Sequence, residues 1–366
     1  MVTASGSEVR IHGLPEPLRR LADALKGVRR VLIYCHMNPD PDSLGAALAT
    51  RQILREVFKL DVGLCYRGLI GRAENRQMVE LLAPDMKPAR TIDQSLWDAA
   101  FLVDAQPDYG YLDSIDRLPL IGCIDHHPYI ASTGKLLYHD VRKGYGSTCT
   151  IMTEYLKAFG LEPDPIVATG LYYGVKTDTL DLTRRCFEPD VRAYEWLLRR
   201  VDRELLGRIQ NPPLKLAYFE ELRKALGRAV MYRRIVLTEL GHVSYPDMVA
   251  EIADRLIRVE GMHWSVCFGY HEKRIYLSVR TNRVDRDSGD LVKKVLAKDG
   301  VGGGHTTMAA GRVELAEECK DVYLDKVSEL WRRFLAETHE DPQDARSLVS
   351  EDEPEHRVRV GLPVGI

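Results

Sequence analysis

The chain has 366 residues, 45% of them apolar and 29% charged, with a formal net charge of -3. That length exceeds one ordinary core and fits two domains with connectors; the near-balanced charge argues against coating of long duplex nucleic acid, which calls for a basic surplus. No run of about 18 apolar residues is present, so no membrane span is expected, and residues 1–10 lack the apolar stretch of a signal peptide, so the chain reads as cytoplasmic.

Leu18, Leu21, Ala22 and Leu25 recur at helical spacing and predict an opening amphipathic helix over 15–26. The run VLIYC at 31–35 predicts a buried strand, followed by a helix over 43–58 with Ser43 as a candidate cap. A strand at 62–66, a helix at 74–82, and buried strands AAFLV at 99–103 and IGCI at 121–124 come next. Helices are expected over 147–159 and 166–177, the second apolar nearly all round. Continuous apolar strands alternating with helices imply an α/β fold with a parallel sheet covered on both faces, and such sheets bind ligands beyond the carboxyl ends of their strands. The charged helical stretch 191–226, broken by Asn211-Pro212-Pro213, reads as a connector. A second, smaller α/β unit follows: a strand at 235–240, a helix at 246–258, a hairpin of 264–270 with 274–280, a helix at 290–297, a glycine-rich loop at 302–304 and a last helix over 317–338. The charged tail after His339 is expected to be mobile. Seven scattered cysteines without a C-x-x-C pair read as reduced thiols.

Residues that carry chemistry gather at the predicted strand ends. VLIYC runs into His36-Met37-Asn38-Pro39-Asp40-Pro41-Asp42, where H-x-x-x-D-x-D lets three ligand-type side chains converge and the prolines stiffen the loop. Alone, the segment equally fits a polar turn with a helix cap. AAFLV ends in Asp104, IGCI ends in Asp125-His126-His127, and the apolar helix at 166–177 runs into Asp178. Several strands ending in ligand-type residues at one sheet edge would repel one another unless a cation sits between them. Carboxylates mixed with imidazoles suit manganese or another octahedral divalent ion better than structural zinc. That many ligands can hold two ions, with a bridging carboxylate keeping them about 3.5–4 Å apart, the separation used in phosphoryl chemistry.

The order and context of these motifs, His36 to Gly45, Val103-Asp104, Asp125-His126-His127 and Thr177-Asp178-Thr179, resemble the DHH phosphoesterase superfamily over about residues 15–195. The resemblance implies that His36 and Asp40 hold one metal, that Asp42, His126 and Asp178 hold the other, and that Asp104 bridges both. It implies His127 as a donor to the scissile phosphate and Asp125 as the group orienting the histidines. Pro41 stands where the family has glycine, and Thr179-Leu180-Asp181-Leu182 departs from the family's Thr-Gly-x-Phe, which leaves the substrate contacts there open.

Gly302-Gly303-Gly304-His305 with Ala309-Ala310-Gly311 resembles the signature of the DHH-associated domain, and Ser278-Val279-Arg280 its arginine-bearing strand. By that resemblance Arg280, Gly302, Gly303, Gly304 and His305 grip the substrate across a cleft from the metals. Arg72 and Asn75, before and within a helix start, are further candidate substrate contacts, and the segment 144–148 could bring helix amides to an anion. Arg184 and Arg185 are candidate phosphate contacts that equally fit surface arginines. The expected divisions are 15–195 for the catalytic domain, 196–228 for a helical linker, 229–340 for the substrate-binding domain and 341–366 for the tail. The pairing looks like the bacterial nanoRNase and pAp-phosphatase group, whose members also cleave linear or cyclic dinucleotides. The expected partner is thus a short oligonucleotide or nucleotide rather than long duplex nucleic acid or a membrane, and a homodimer is compatible with the chain. An exopolyphosphatase or pyrophosphatase is the alternative within enzymes, and a non-catalytic nucleotide or RNA sensor the alternative outside them.

Overall fold

The computed structural model describes residues 3–4, 7–8, 14–107, 118–283, 285–317, 319–339 and 345–349. The chain divides into two compact units between Pro213 and Leu214.

The first unit opens with a ribbon of β1 (Thr3–Ala4) and β2 (Ser7–Glu8) and with α1 (Glu16–Ala24), whose Leu18 and Leu21 are buried. Then follow β3 (Arg30–Met37), α2 (Pro41–Glu56), β4 (Asp61–Arg67), α3 (Ala73–Leu82) and the two-residue β5 (Lys87–Pro88). Next come β6 (Ala99–Val103), β7 (Leu120–Asp125), β8 (Tyr138–Val141), α4 (Thr148–Ala158), α5 (Pro165–Asp178), α6 (Glu188–Leu198) and α7 (Arg203–Gln210). Six strands form one sheet in the order β5-β4-β3-β6-β7-β8, and every pair is parallel. All five residues of β6 are buried, as a strand covered on both faces requires. The chain steps outward from β3 to β4 and β5, then returns to the other side of β3 with β6. The boundary between β3 and β6 is therefore the switch point where such sheets open a crevice.

Helix α2 packs against both α4 and α5. Small residues make that approach possible. A Cβ on Gly45 would lie 2.5 Å from the Gly170 carbonyl oxygen, and one on Gly174 would lie 2.4 Å from Cys149 Sγ and 3.0 Å from Asp42 Cα. The start of α2 accommodates the proline that departs from the family pattern. Asp40 caps the helix, its carboxylate accepting from the Ser43 N–H at 3.0 Å, and Pro41 occupies the first turn, where a missing N–H goes unused.

The second unit contains α8 (Leu216–Arg228), β9 (Val230–Tyr232), β10 (Ile235–His242), α9 (Asp247–Leu256), β11 (Trp264–His271), β12 (Arg274–Thr281), α10 (Ser288–Leu296), β13 (Gly300–His305), β14 (Met308–Glu314), α11 (Lys320–Thr338) and β15 (Ala345–Ser347). Its seven strands run in the order β13-β14-β12-β11-β10-β9-β15, with β10 and β11 parallel and the other pairs antiparallel. The fold is thus α/β throughout, a parallel sheet in the first unit and a mixed one in the second. Two expectations change. The glycine run is not a loop: Gly302, Gly303 and Gly304 lie in β13, held by backbone pairing to Gly311, Ala310 and Ala309. And β15, within the stretch expected to be a mobile tail, pairs with β9; the rest of that stretch from 350 lies outside the described residues.

Replacing Gly174 by alanine should destabilise the protein by about 1–3 kcal/mol through overpacking between α2, α4 and α5. The control Gly207→Ala, whose added methyl meets nothing within 4 Å, should leave stability unchanged or slightly raised. Urea unfolding of both variants checks this; equal stabilities would contradict the close-approach account.

Candidate metal centre

Five strand and helix ends of the first unit deliver carboxylates and imidazoles to the switch point. His36 lies near the end of β3, Asp40 and Asp42 at the start of α2, and Asp104 directly after β6. Asp125 closes β7, His126 and His127 follow it, and Asp178 is the last residue of α5. The ligand-type atoms fall into groups that each lie within 4.8 Å of one another: His36, Asp40 and Asp104; Asp42, His126 and Asp178; and Asp104, His126 and His127. Asp104 belongs to the first and third, and His126 Nε2 is 3.6 Å from Asp104 Oδ1, which links the set into one cluster. Asp104 itself has a left-handed backbone, φ 57°, a conformation aspartate tolerates better than most residues.

The hydrogen bonds fix how these groups face one another. His126 Nδ1 is 3.2 Å from the Tyr145 carbonyl, which can only accept, so Nδ1 carries the proton and Nε2 presents a lone pair. That Nε2 is buried, has no hydrogen-bond partner, and faces Asp178 Oδ2 at 3.4 Å, Asp104 Oδ1 at 3.6 Å and Asp42 Oδ2 at 3.8 Å. His36 repeats the arrangement: Nδ1 donates to the Met37 carbonyl at 2.7 Å, and Nε2 lies 3.3 Å from Asp40 Oδ1 and 3.6 Å from Asp104 Oδ2. Divalent ions with metal–ligand distances of about 2.1 Å hold neighbouring octahedral ligands about 3 Å apart, close to these separations. His127 differs, since its Nδ1 is committed to Asp125 Oδ1 at 2.8 Å. The geometry therefore favours the two groups centred on His36 and His126 as ion sites.

The titration behaviour of the cluster follows from the same crowding. Burial and then the nearby Asp42 carboxylate push Asp104 well above the ordinary carboxylate range, and the same two causes act on Asp178. Burial lowers His126, and the neighbouring His127 adds to this, so its ring is held neutral. Burial also opposes charge on His36, but the Asp40 carboxylate outweighs it and carries the group up to about 9. Without a cation the cluster must retain protons to survive its own repulsion. The residues present fit a divalent cation that takes the place of those protons.

Surrounding groups hold the ligands in position. The buried Asp42 carboxylate accepts from Ser147 Oγ at 2.6 Å, the Thr148 amide at 2.7 Å and the Cys149 amide at 2.8 Å. The helix N-terminus in 144–148 that reads as an anion site is thus engaged by the protein's own carboxylate. Thr148 Oγ1 donates to Asp104 at 2.9 Å. Two residues went unnoticed in the sequence. Gln106, fully buried, donates to Asp125 Oδ2 at 2.6 Å and accepts at 2.9 Å from both the Ile130 amide and Thr133 Oγ1. Asp190 accepts from the Gly146 amide and from Thr150 Oγ1 at 2.6 Å, tying the α4 start to α6. Neither lies at a strand end, so nothing in their spacing marks them; a polar residue two positions after a ligand, as in Asp104-Ala105-Gln106, is the only signal.

The candidate substrate contacts are placed as follows. Asn75 is buried and donates to the Pro39 carbonyl at 3.1 Å, bracing the ligand loop, and Arg72 stands at the start of α3. Arg184 donates to the Asp178 carbonyl at 3.1 Å, across a turn in which Leu180, Asp181 and Leu182 all have positive φ. Arg280, at the end of β12 in the second unit, is buried, with Nε on Asp254 and Nη1 on Ser278 Oγ at 2.7 Å. Gly302 and Gly304 are hemmed in, a Cβ on Gly304 meeting the Met308 carbonyl at 2.2 Å, whereas Gly303 is open. His305 ends β13, and its side chain lies outside the described residues.

A parallel sheet whose switch point gathers carboxylates and imidazoles, joined in one chain to a mixed-sheet unit with a glycine-rich strand, defines a two-domain metal-site protein. The chain belongs to the DHH superfamily: residues 30–175 match the DHH family N-terminal domain and residues 230–332 the DHHA1 domain. It is 32% identical over 286 residues to an uncharacterised protein of Methanocaldococcus jannaschii, covering 78% of this chain and 58% of that protein. It is 28% identical over 171 residues to a probable manganese-dependent inorganic pyrophosphatase of Bacillus licheniformis, covering 46% of this chain and 54% of that one. The chain thus spans little more than half the length of these relatives. Among solved structures, an exopolyphosphatase-related protein from Bacteroides fragilis shares the fold, with TM-score 0.69, 14% identity and coverage of 87% of this chain and 96% of that one. No helix among the described residues is long and apolar enough to cross a membrane.

Replacing Gln106 by leucine should weaken divalent-cation affinity about 10–100-fold, because Asp125 loses the donor that fixes it and, through it, His127 and the His126 amide. Isothermal titration calorimetry on metal-stripped protein checks this; unchanged affinity would show that Asp125 needs no such support.

Proposed function

We propose that the protein is a two-metal phosphoesterase that hydrolyses short oligoribonucleotides or linear or cyclic dinucleotides to mononucleotides, with removal of the 3′-phosphate of pAp as a related activity and manganese as the ion. The observation that carries this reading is the buried lone pair of His126 Nε2 facing three carboxylates, beside a second group in which His36 Nε2 faces Asp40 and Asp104. His36 and Asp40 would hold one ion, Asp42, His126 and Asp178 the other, and Asp104 both. Bound there, the ions would supply a water acidic enough to attack phosphorus and would neutralise charge on the phosphoryl oxygens. The chain's own residues supply the rest. Asp125 accepts from His127 Nδ1 at 2.8 Å and from the His126 amide at 2.9 Å, which orients the His127 ring and fixes the backbone at His126, and His127 would donate to a phosphate oxygen. Asp254 and Ser278 hold Nε and Nη1 of Arg280, which fixes the guanidinium, and Arg280 would supply the charge that binds an anionic substrate. The similarity to a manganese-dependent relative supports manganese, and seven free cysteines support a reducing cytoplasm.

The same relative supports a second reading, hydrolysis of pyrophosphate or polyphosphate. The panel that separates the two contains a 5′-phosphorylated dinucleotide, a 5-mer and a 24-mer RNA, pAp, cyclic dinucleotides, pyrophosphate and polyphosphate, each with manganese. The expected result is mononucleotide release from the shortest RNAs, abolished by Asp104→Ala. Turnover of pyrophosphate or polyphosphate alone would install the second reading. Metal binding without turnover of any substrate would overturn both in favour of a sensor.

Arg280→Ala should raise KM for the preferred substrate about 10–100-fold, the loss of one charge-assisted contact, with kcat changed much less. Steady-state kinetics on the preferred substrate checks the split; an equal fall in kcat would place Arg280 in the transition state instead.

A further inference from the structure

The second unit contains a cavity of 260 Å³ that none of the residues discussed so far line. Its walls come from α8 (Lys224, Arg228), the end of β10 (Glu239 to His242), the end of β11 (Tyr270) and the first turn of α11 (Lys320, Tyr323). β10 and β11 are the unit's one parallel pair among the described strands, and both enter the cavity at their carboxyl ends, where α/β sheets take ligands. The register places it away from Arg280. Arg280 pairs with Ser265 at the start of β11, five residues before Tyr270, a separation of roughly 17 Å along the strand at about 3.4 Å per residue.

Local chemistry sets the class of ligand. Three cations, Lys224, Arg228 and Lys320, line the cavity against one carboxylate, Glu239, which is already engaged by Arg228 at 2.9 Å. A bulge in β10 between Glu239 and His242, with Gly241 at φ 70°, turns the strand end outward. Tyr270 packs against both Tyr323, at 4.7 Å between ring centres, and His242, at 5.4 Å. Tyr323 is fully buried beneath the cavity, its hydroxyl beside the Glu239 carboxylate and the Gly241 backbone, so the exposed polar wall is set by the cations.

We propose that this cavity binds a small phosphate-bearing anion of mononucleotide size through Lys224, Arg228 and Lys320. The three cations supply the charge that holds the phosphoryl group, and the Tyr270 and His242 rings form the wall beside it. If the proposed activity is correct, its products belong to this class, and the cavity would report their accumulation. The binding itself does not depend on that activity.

The test separates the cavity from the metal centre. Full-length Asp104→Ala protein, stripped of metal and kept in chelator, is titrated calorimetrically with AMP and, separately, with inorganic phosphate. Saturable binding of one equivalent of either is expected, AMP alone indicating a nucleotide site and both a bare phosphate site. The double variant Lys224→Ala/Lys320→Ala, added to that background, should weaken binding at least tenfold. The charge-preserving double variant Lys224→Arg/Lys320→Arg should retain most of the affinity, as a charge-driven site requires. Absence of saturable binding by both probes, or an affinity that the alanine variant leaves intact, would overturn the proposal.

Discussion

Four aspartates and the Nε2 atoms of two histidines converge at the switch point of the first unit's sheet, and the repulsion among the carboxylates is the constraint around which that unit is arranged. Asp104 and Asp178 are driven well above the ordinary carboxylate range by burial and by Asp42. His126 cannot relieve the strain, because its one proton is turned toward the Tyr145 carbonyl. The chain tolerates the cluster only by neutralising it, with protons or with cations. Since a divalent ion replaces several protons at once and accepts lone pairs from oxygen and nitrogen alike, the arrangement that is hardest to hold empty is also the one best made for metal.

Much of the surrounding fold serves to keep those groups from relaxing apart. Asp42 is fixed by three donors from the start of α4, so a helix terminus that usually greets a ligand is given to a ligand's holder. Gly45, Gly170 and Gly174 let α2, α4 and α5 approach until Asp42 and Asp178, on different helices, share the His126 nitrogen. Gln106 holds Asp125, and Asp125 holds both neighbouring histidines. The second unit has the opposite character: its candidate groups are cations and backbone edges, suited to an anion rather than to a metal.

The strand ends were legible because burial on both faces forces a continuous apolar run, and the run stops where chemistry begins. His36, Asp104 and Asp125 each follow such a run, which is why the sheet order could be left unknown while the edge bearing these residues could not be missed. The fold class follows from the same runs. Helix and strand ends shifted by one or two residues: Asp178 closes α5 instead of following it, and β3 extends through His36 to Met37. β8 escaped notice because Tyr138-His139-Asp140-Val141 mixes polar and apolar residues at an edge. A glycine run predicts a loop because glycine is permissive, whereas β14 supplies enough backbone pairing to make it a strand. Gln106 and Asp190 were invisible for a deeper reason. Their value lies in contacts to residues tens of positions away, and no periodicity records that.

Diffraction from crystals grown with manganese, collected at the manganese absorption edge, tests the central claim most directly. The account predicts two anomalous peaks per chain, one among His36, Asp40 and Asp104 and one among Asp42, Asp104, His126 and Asp178. A single peak, or peaks elsewhere with His126 Nε2 still facing three bare carboxylates, would contradict it.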